Sequence, residues 1–208
     1  DSDQVYEIPN DDLFLVGTSE VSLAALHGDE ILDFDKLPIR YAGYSTCFRR
    51  EAGTYGKDTT GIFRVHQFDK VEMFSFCSPE KSEEEHEFIL SVEEEILQEL
   101  EIPYRVVDVC TGDLGSSAAK KFDIEAWIPS QNTYREVTSC SNTTDFQARR
   151  LNIRTKVDKD SALLHTLNGT AIAVGRILIA LLENNQTEDG VIEFSDSLGN
   201  ILGVEKLS

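Results

Sequence analysis

The chain is short of positive charge. Lys plus Arg number 19 against 38 Asp plus Glu, a formal net charge of −19 over 208 residues. Phosphate affinity is built from Lys and Arg, so this balance excludes a broad nucleic-acid-binding surface and leaves room only for local contacts. Long hydrophobic runs are missing too. No apolar stretch approaches the roughly 20 residues that span a bilayer, so no membrane helix is expected. The start shows neither a signal-peptide pattern nor an initiator Met, and the chain is expected to begin inside a longer gene product. The four cysteines (Cys47, Cys77, Cys110, Cys140) are widely spaced with no CxxC. That spacing points to reduced thiols in a cytoplasmic protein rather than to a disulfide framework. Three Asn-x-Ser/Thr triplets, at Asn142, Asn168 and Asn185, read as chance matches in that setting. The known phosphate loops are absent: there is no GxxxxGK[ST], and no GxGxxG follows a strand. A bound nucleotide would therefore need cationic side chains and a metal to hold its phosphates. Repeats and low-complexity linkers are also lacking.

What is present is a patterned chain, 40% hydrophobic, of a length that suits one domain over residues 1–208. A chain this long can bury about 70% of its unfolded surface and needs no staple to fold. "DLFLV" (12–16) reads as a short strand, and a helix is expected to start at Thr18 or Ser19. "LPIRYAGYSTCFRRE" and "GIFRVHQFDKVEMFSF" are β-prone arms of a long hairpin, joined by a loop from Gly53 to Gly61 expected to be mobile. The clearest helix follows, with Ser78 as its cap and Pro79 in its first turn. Phe88, Ile89, Val92, Ile96, Leu97 and Leu100 give it an apolar stripe, and its acidic face reads as solvated surface. "YRVVDVC", "FDIEAWIP" and "YREVTSCS" are strands, the last two joined by the turn "SQNT". "TDFQARRLNIR" starts a helix capped by Thr144 or Asp145. The final segment runs from a strand through Asn168–Gly169 into a helix apolar nearly all round, expected to be buried. The class is α+β with a mostly antiparallel sheet.

The chemistry concentrates on the hairpin. Residues two or four apart on a strand share a face. Arg49 and Glu51 therefore point one way on the first arm, and Phe68 and Glu72 share a face on the second. A cation, a carboxylate, an aromatic ring and a second carboxylate make a poor core and a good site for a phosphorylated, aromatic, amine-bearing ligand. Arg176 sits near the start of the apolar helix, where an unpaired charge would cost several kcal/mol. From charge placement alone, a structural salt bridge is the plainer account of both arginines. Glu136 and Ser139 could hold a divalent ion, a weak signal by itself. His66 carries no catalytic assignment, and His27, His86 and His165 read as packing or surface residues.

Several runs are long and rich in unusual polar residues: "FLVGTSEVSLAAL", "FRREAGTYGKDTTGIFRVHQFDKVEMF", "PYRVVDVCTGDLG", "DIEAWIPSQNTYREVTSCSNTTDFQARR" and "HTLNGTAIAVGRILIALLENNQTEDG". On these the chain resembles the catalytic domain of the seryl-tRNA synthetases, class II aminoacyl-tRNA synthetases, most nearly the bacterial type. The resemblance implies the class II fold, an antiparallel sheet flanked by helices. It implies ATP and Mg²⁺ as co-substrate and cofactor, and L-serine and tRNA(Ser) as partners. By that resemblance Arg49 and Arg176 are the catalytic cations, meeting the α- and γ-phosphates. Glu51 accepts from the adenine amino group and Phe68 stacks on the adenine. The implied ATP-binding set also includes Arg50, Val65, Glu136, Val137, Thr138 and Ser139, although strand alternation turns Arg50 to the other face. Glu136 and Ser139 are the implied metal ligands. Serine is implied to bind at Thr18, Ser19, Glu20, Glu72 and Thr170. A site built to hydrogen-bond a hydroxyl rejects the analogue lacking it by a factor of about 10⁴.

Two departures accompany the resemblance. The family's N-terminal helical arm, which grips tRNA, and its motif 1, which builds the homodimer, would lie before Asp1. After "TEDG" the family's usual Pro-rich ending is replaced by "VIEFSDSLGNILGVEKLS". The alternative from another class is an armless paralogue, either an aminoacyl-carrier ligase or a regulatory module.

Overall fold

The computed structural model describes residues 2–52, 61–157 and 160–208. Its centre is an antiparallel sheet of six strands: β1 (Ile39–Phe48), β2 (Gln67–Cys77), β3 (Tyr104–Asp108), β4 (Lys120–Ile128), β5 (Thr133–Asn142) and β6 (His165–Ala173), in the order β1-β2-β6-β5-β4-β3. The helices are α1 (Glu20–Ala25), α2 (Ser82–Glu99), α3 (Phe146–Arg150), α4 (Val174–Asn184) and α5 (Asp196–Leu202). The α+β expectation holds, and so does the hairpin: β1 and β2 pair from Ile39↔Phe76 to Phe48↔Gln67. The proposed loop between the arms falls mostly on residues 53–60, outside the described residues. The expected strand at 12–16 is only Leu13–Phe14, paired with Glu7–Ile8.

Helices α2 and α4 cover one face of the sheet. Ile89, Leu90 and Leu97 of α2 share a core with Ile177, Ala180 and Leu181 of α4, and with Ile124, Ala126, Cys140 and Leu167 of the strands. The opposite face is closed at one end by α1 and α3, where Ala24 and Ala148 pack with Phe74 and Phe76. Strand β2 shows how the site and the core share one surface. Phe68, Lys70, Glu72, Phe74 and Phe76 alternate onto the same face; the last two enter the core, and the first three line a cavity.

The helices correct two expectations. The buried face of α2 keeps only part of the expected apolar stripe: Ile89 and Leu97 are buried, but Phe88 is exposed, and Ser82, Glu85, His86, Leu90 and Glu93 share the buried face. Polar side chains go inside because most find partners. Glu85 accepts from Arg40 and Ser75, Ser82 from Asn142, and His86 Nε2 donates to the Cys140 carbonyl at 3.2 Å. Arg40 also lies 3.8 Å over the Phe88 ring, which holds that ring outward. Helix α4 is not buried all round either; it buries Ile177, Ala180 and Leu181 and exposes Leu178. Asn142 and Asn168 are buried, so neither sits as a glycosylation acceptor would. The unusual tail is part of the fold, since Leu198 of α5 is fully buried in the larger core.

Candidate active site

On the sheet face away from α2 lies a cavity of about 390 Å³. Two contact networks build its wall. The first is acidic. Glu72 is 2% exposed and forms an ion pair with Lys70, itself 6% exposed, two residues back on the same face. Thr18 and Thr170 each donate to Glu72 Oε2 at 3.4 Å. Thr18 precedes α1, and its hydroxyl also accepts from the Glu20 amide. Glu20, in the first turn of α1, accepts from Gln147 of α3 at 2.7 Å and from Asn168 of β6 at 3.1 Å. Burial pushes its carboxyl above the ordinary range, the charge on Glu72 adds to this, and the Gln147 bond works against it. Asn168 and Thr170 face the cavity because Leu167 and Gly169 alternate toward α2.

The second network is cationic. Arg49 follows β1; its Nε donates to the Gly17 carbonyl at 3.1 Å, and its guanidinium lies 5.2 Å from the Phe68 ring centre. Arg176, in the first turn of α4, donates to the Glu136 carbonyl at 2.9 Å, with the Glu136 carboxylate at 3.9 Å. Burial pushes the Arg176 pKa down, Glu136 opposes that, and Arg64, Arg49 and Arg135 press it further down. Glu51 is ion-paired with Arg64.

Thr18, Glu20, Arg49, Glu51, Val65, Phe68, Glu72, Glu136, Val137, Thr138, Ser139, Thr170 and Arg176, all selected from the sequence, line this cavity. Two selected residues do not. Arg50 is exposed and outside the lining, because the chain turns after Phe48 and the Arg50 amide donates instead to the Gln4 carbonyl. Ser19 is buried beside the cavity, with its hydroxyl donating to the Gly43 carbonyl at 3.2 Å. Glu51 reaches the cavity by a different route from the one expected. β1 ends at Phe48, and Glu51 has φ +51°, so a left-handed turn rather than strand alternation aims it.

Glu136 and Ser139 have their own explanation. Ser139 and Ser141 face the cavity, while Cys140 and Asn142 face the helices. Carried back, that alternation would send Glu136 to the helix side. The ladder with β4 slips between Ile124↔Thr138 and Glu125↔Glu136, leaving Val137 as an extra residue. This β-bulge resets the alternation and brings Glu136 round to the cavity. Both residues offer oxygen donors, as Mg²⁺ prefers. Among the described residues no group of three or more His, Cys, Asp or Glu could hold a metal ion, so the balance of a coordination shell would come from phosphate oxygens and water. Lys70, Asn168, Arg64 and Phe63 line the cavity without having been singled out in the sequence. Of the histidines, His86 is buried and His66 Nδ1 lies 3.0 Å from the Tyr6 hydroxyl outside the cavity.

The family model of the tRNA synthetase class II core domain (G, H, P, S and T) matches residues 5–185. The chain belongs to this family. Among curated relatives, this synthetase core is 59% identical over 206 residues to serine–tRNA ligase 1 of Streptomyces avermitilis, covering 99% of the chain and 48% of the relative. It is 58% identical over 209 residues to the serine–tRNA ligase of Corynebacterium diphtheriae, covering 99% of the chain and 49% of the relative. The chain thus spans about half the length of the curated relatives it matches. Among solved structures it is similar to the seryl-tRNA synthetase of Pyrococcus horikoshii complexed with ATP, with a TM-score of 0.94, 55% identity, and coverage of 99% of this chain and 46% of that one. The cytoplasmic serine–tRNA ligase of Naegleria fowleri in complex with AMP superposes with a TM-score of 0.93 at 42% identity, covering 100% of this chain and 50% of that one. The alignments run over nearly the whole synthetase core, so they take in its unusual tail.

Proposed function

We propose that this chain is the catalytic core of a seryl-tRNA synthetase. It activates L-serine with ATP to seryl-adenylate and then passes serine to tRNA(Ser). The carrying observation is the placement of the Glu72 carboxylate, with two threonine hydroxyls on it, in the same cavity as the Arg49–Phe68 pair. The names of the relatives, and the ATP and AMP complexes of the two solved neighbours, support the same reading.

In this reading the serine ammonium group meets Glu72 and Glu20, and the serine hydroxyl is held by the threonines around them. Phe68 carries the adenine ring and Glu51 accepts from its amino group. The adenine site is completed by the chain at Val65 and by Val137 and Thr138 of β5. Arg49 meets the α-phosphate and Arg176 the γ-phosphate. A serine carboxylate oxygen attacks the α-phosphorus in line, and the bond to the β-phosphate oxygen breaks. Pyrophosphate leaves with the electron pair. A tRNA ribose hydroxyl then attacks the adenylate carbonyl; the bond from that carbon to the phosphate oxygen breaks, AMP leaves with the electron pair, and the hydroxyl proton passes to the AMP phosphate or to water. No protein nucleophile is needed. The barrier falls because the reactants are aligned and because fixed cations meet the charge that develops. Glu136 and Ser139 would hold Mg²⁺, which when bound neutralises and orients phosphate oxygens.

The chain is read as one catalytic domain over residues 1–208. Its charge of −19 suits a core whose hold on tRNA lies elsewhere. A homodimer and a cytoplasmic setting complete the proposal. No helix among the described residues is long and apolar enough to cross a membrane.

The test is serine-dependent exchange of pyrophosphate into ATP by the full-length protein. Exchange with serine, and at least about a thousandfold less with alanine, is the expected result. No exchange would remove the reading.

A further inference from the structure

Phe63 is approached by two guanidinium groups from different elements. Arg135 of β5 lies 4.3 Å from its ring centre, and Arg176 of α4 lies 5.0 Å away. Both distances are within cation–π range. The ring lines the cavity and is 8% exposed. Its segment is pressed against the start of α4: a Cβ on Gly175 would stand 3.2 Å from the Ile62 carbonyl oxygen. A side chain at position 175 would press on the backbone just before Phe63. Among the described residues, Phe63 is thus fixed to the helix that carries the cation it faces.

Two guanidiniums at one ring repel each other, and Arg64 and Arg49 add to the positive field at Arg176. A carboxylate would neutralise them, and would also occupy their N–H donors. An aromatic face attracts a guanidinium through its quadrupole and takes no N–H bond in the guanidinium plane. The ring therefore steadies Arg176 while leaving donors of that guanidinium for an anion. Arg176 spends Nη1 on the Glu136 carbonyl, while the Glu136 carboxylate stands farther off at 3.9 Å.

We propose that Phe63 is a positioning residue for the pyrophosphate end of the nucleotide. It presents Arg176, braced through the shared ring by Arg135, to the terminal phosphates of ATP and to the departing pyrophosphate. This inference rests on the adenylation reading above. It assigns Phe63 no contact with adenine or serine.

The test uses the full-length protein and the variants Phe63→Leu, which removes the ring and keeps an apolar side chain, and Phe63→Tyr, which keeps the ring. Phe63→Leu is expected to raise the KM for pyrophosphate, and that for ATP, by about 3- to 30-fold, the range that loss of a cation–π contact allows. The KM for serine and the inhibition constant of AMP, which lacks the terminal phosphates, should stay within about twofold. Phe63→Tyr should restore the pyrophosphate KM. An unchanged pyrophosphate KM in Phe63→Leu, with exchange by the parent intact, overturns the inference alone. Equal losses for serine, AMP and pyrophosphate, with a lowered melting temperature and no rescue by Tyr, also overturn it, because they mark a purely structural ring. No exchange by the parent removes the adenylation reading and the inference with it.

Discussion

Thr18 and Thr170 donate to the same oxygen, Glu72 Oε2, each at 3.4 Å, from segments about 150 residues apart in the chain. Glu72 is also paired with Lys70, and both are buried, so the carboxylate serves two purposes. It balances an interior cation and it faces the cavity. Glu72→Gln should raise the KM for serine by about 100-fold or more, the consequence of truncating a buried charge contact. It should also lower stability, because Lys70 is left without its counter-charge, at a cost of about 3–5 kcal/mol. Adding Lys70→Met should recover the melting temperature but not serine affinity. Recovery of both would show that Glu72 is structural.

Arg49 has a different balance. Its side chain donates to one backbone carbonyl and leans on Phe68. Arg49→Ala should slow adenylate formation about 10²- to 10³-fold, the size seen when one preorganised charge-stabilising donor is removed. The melting temperature should move by about 2 °C or less. Pre-steady-state adenylate formation and a thermal melt separate the two effects. A large melting shift with normal activity per folded molecule would return Arg49 to the role of a salt-bridge residue.

Glu93 makes stability depend on pH. It lies on α2 under the sheet, fully buried, and neither carboxyl oxygen has a hydrogen-bond partner among the described residues. Thr138 and Cys140 lie alongside, but the Thr138 hydroxyl proton goes to the Thr170 carbonyl. Burial raises the Glu93 pKa well above 4.5, and the charges on Glu72 and Asp123 raise it further. The folded value exceeds the unfolded one, so folding favours the protonated acid. Its contribution is complete below about pH 4.5 and is lost as pH rises through the folded value. Glu93→Gln keeps the shape and cannot ionise. Its melting temperature should gain on the parent as pH rises above about 4.5 and level off once pH passes the folded value. A constant difference across that range would contradict the assignment.

The legible part of the site was the part written in alternation. Phe68 and Glu72 follow from strand period alone, and Lys70 sits between them by the same rule, although a lysine beside Asp69 carries no signal of burial in the sequence. Asn168 was hidden because Asn-Gly reads as a turn, whereas here both residues lie inside β6. Gly169 is there for closeness: a Cβ would fall 2.4 Å from Ile89 Cγ2 and 2.7 Å from Glu93 Oε1. The polar inner face of α2 was hidden for another reason. Periodicity counts apolar residues, and Glu85, His86 and Ser82 are buried through partners on other elements. The roles of individual residues rest on resemblance, since charge placement alone left Arg49 and Arg176 open to a plainer account.

The extra residue in β5 changes what a mutation near it means. An unbroken strand has a memory of parity: the side on which one residue emerges settles the side for every other. Val137 erases that memory, so the direction of the Glu136 carboxylate is stored in the backbone count between Glu136 and Thr138, not in Glu136 itself. Deleting Val137 would leave Glu136, Ser139 and Ser141 in the sequence and turn Glu136 to the helix face. A survey by single substitutions, which preserves the count, is blind to that dependence.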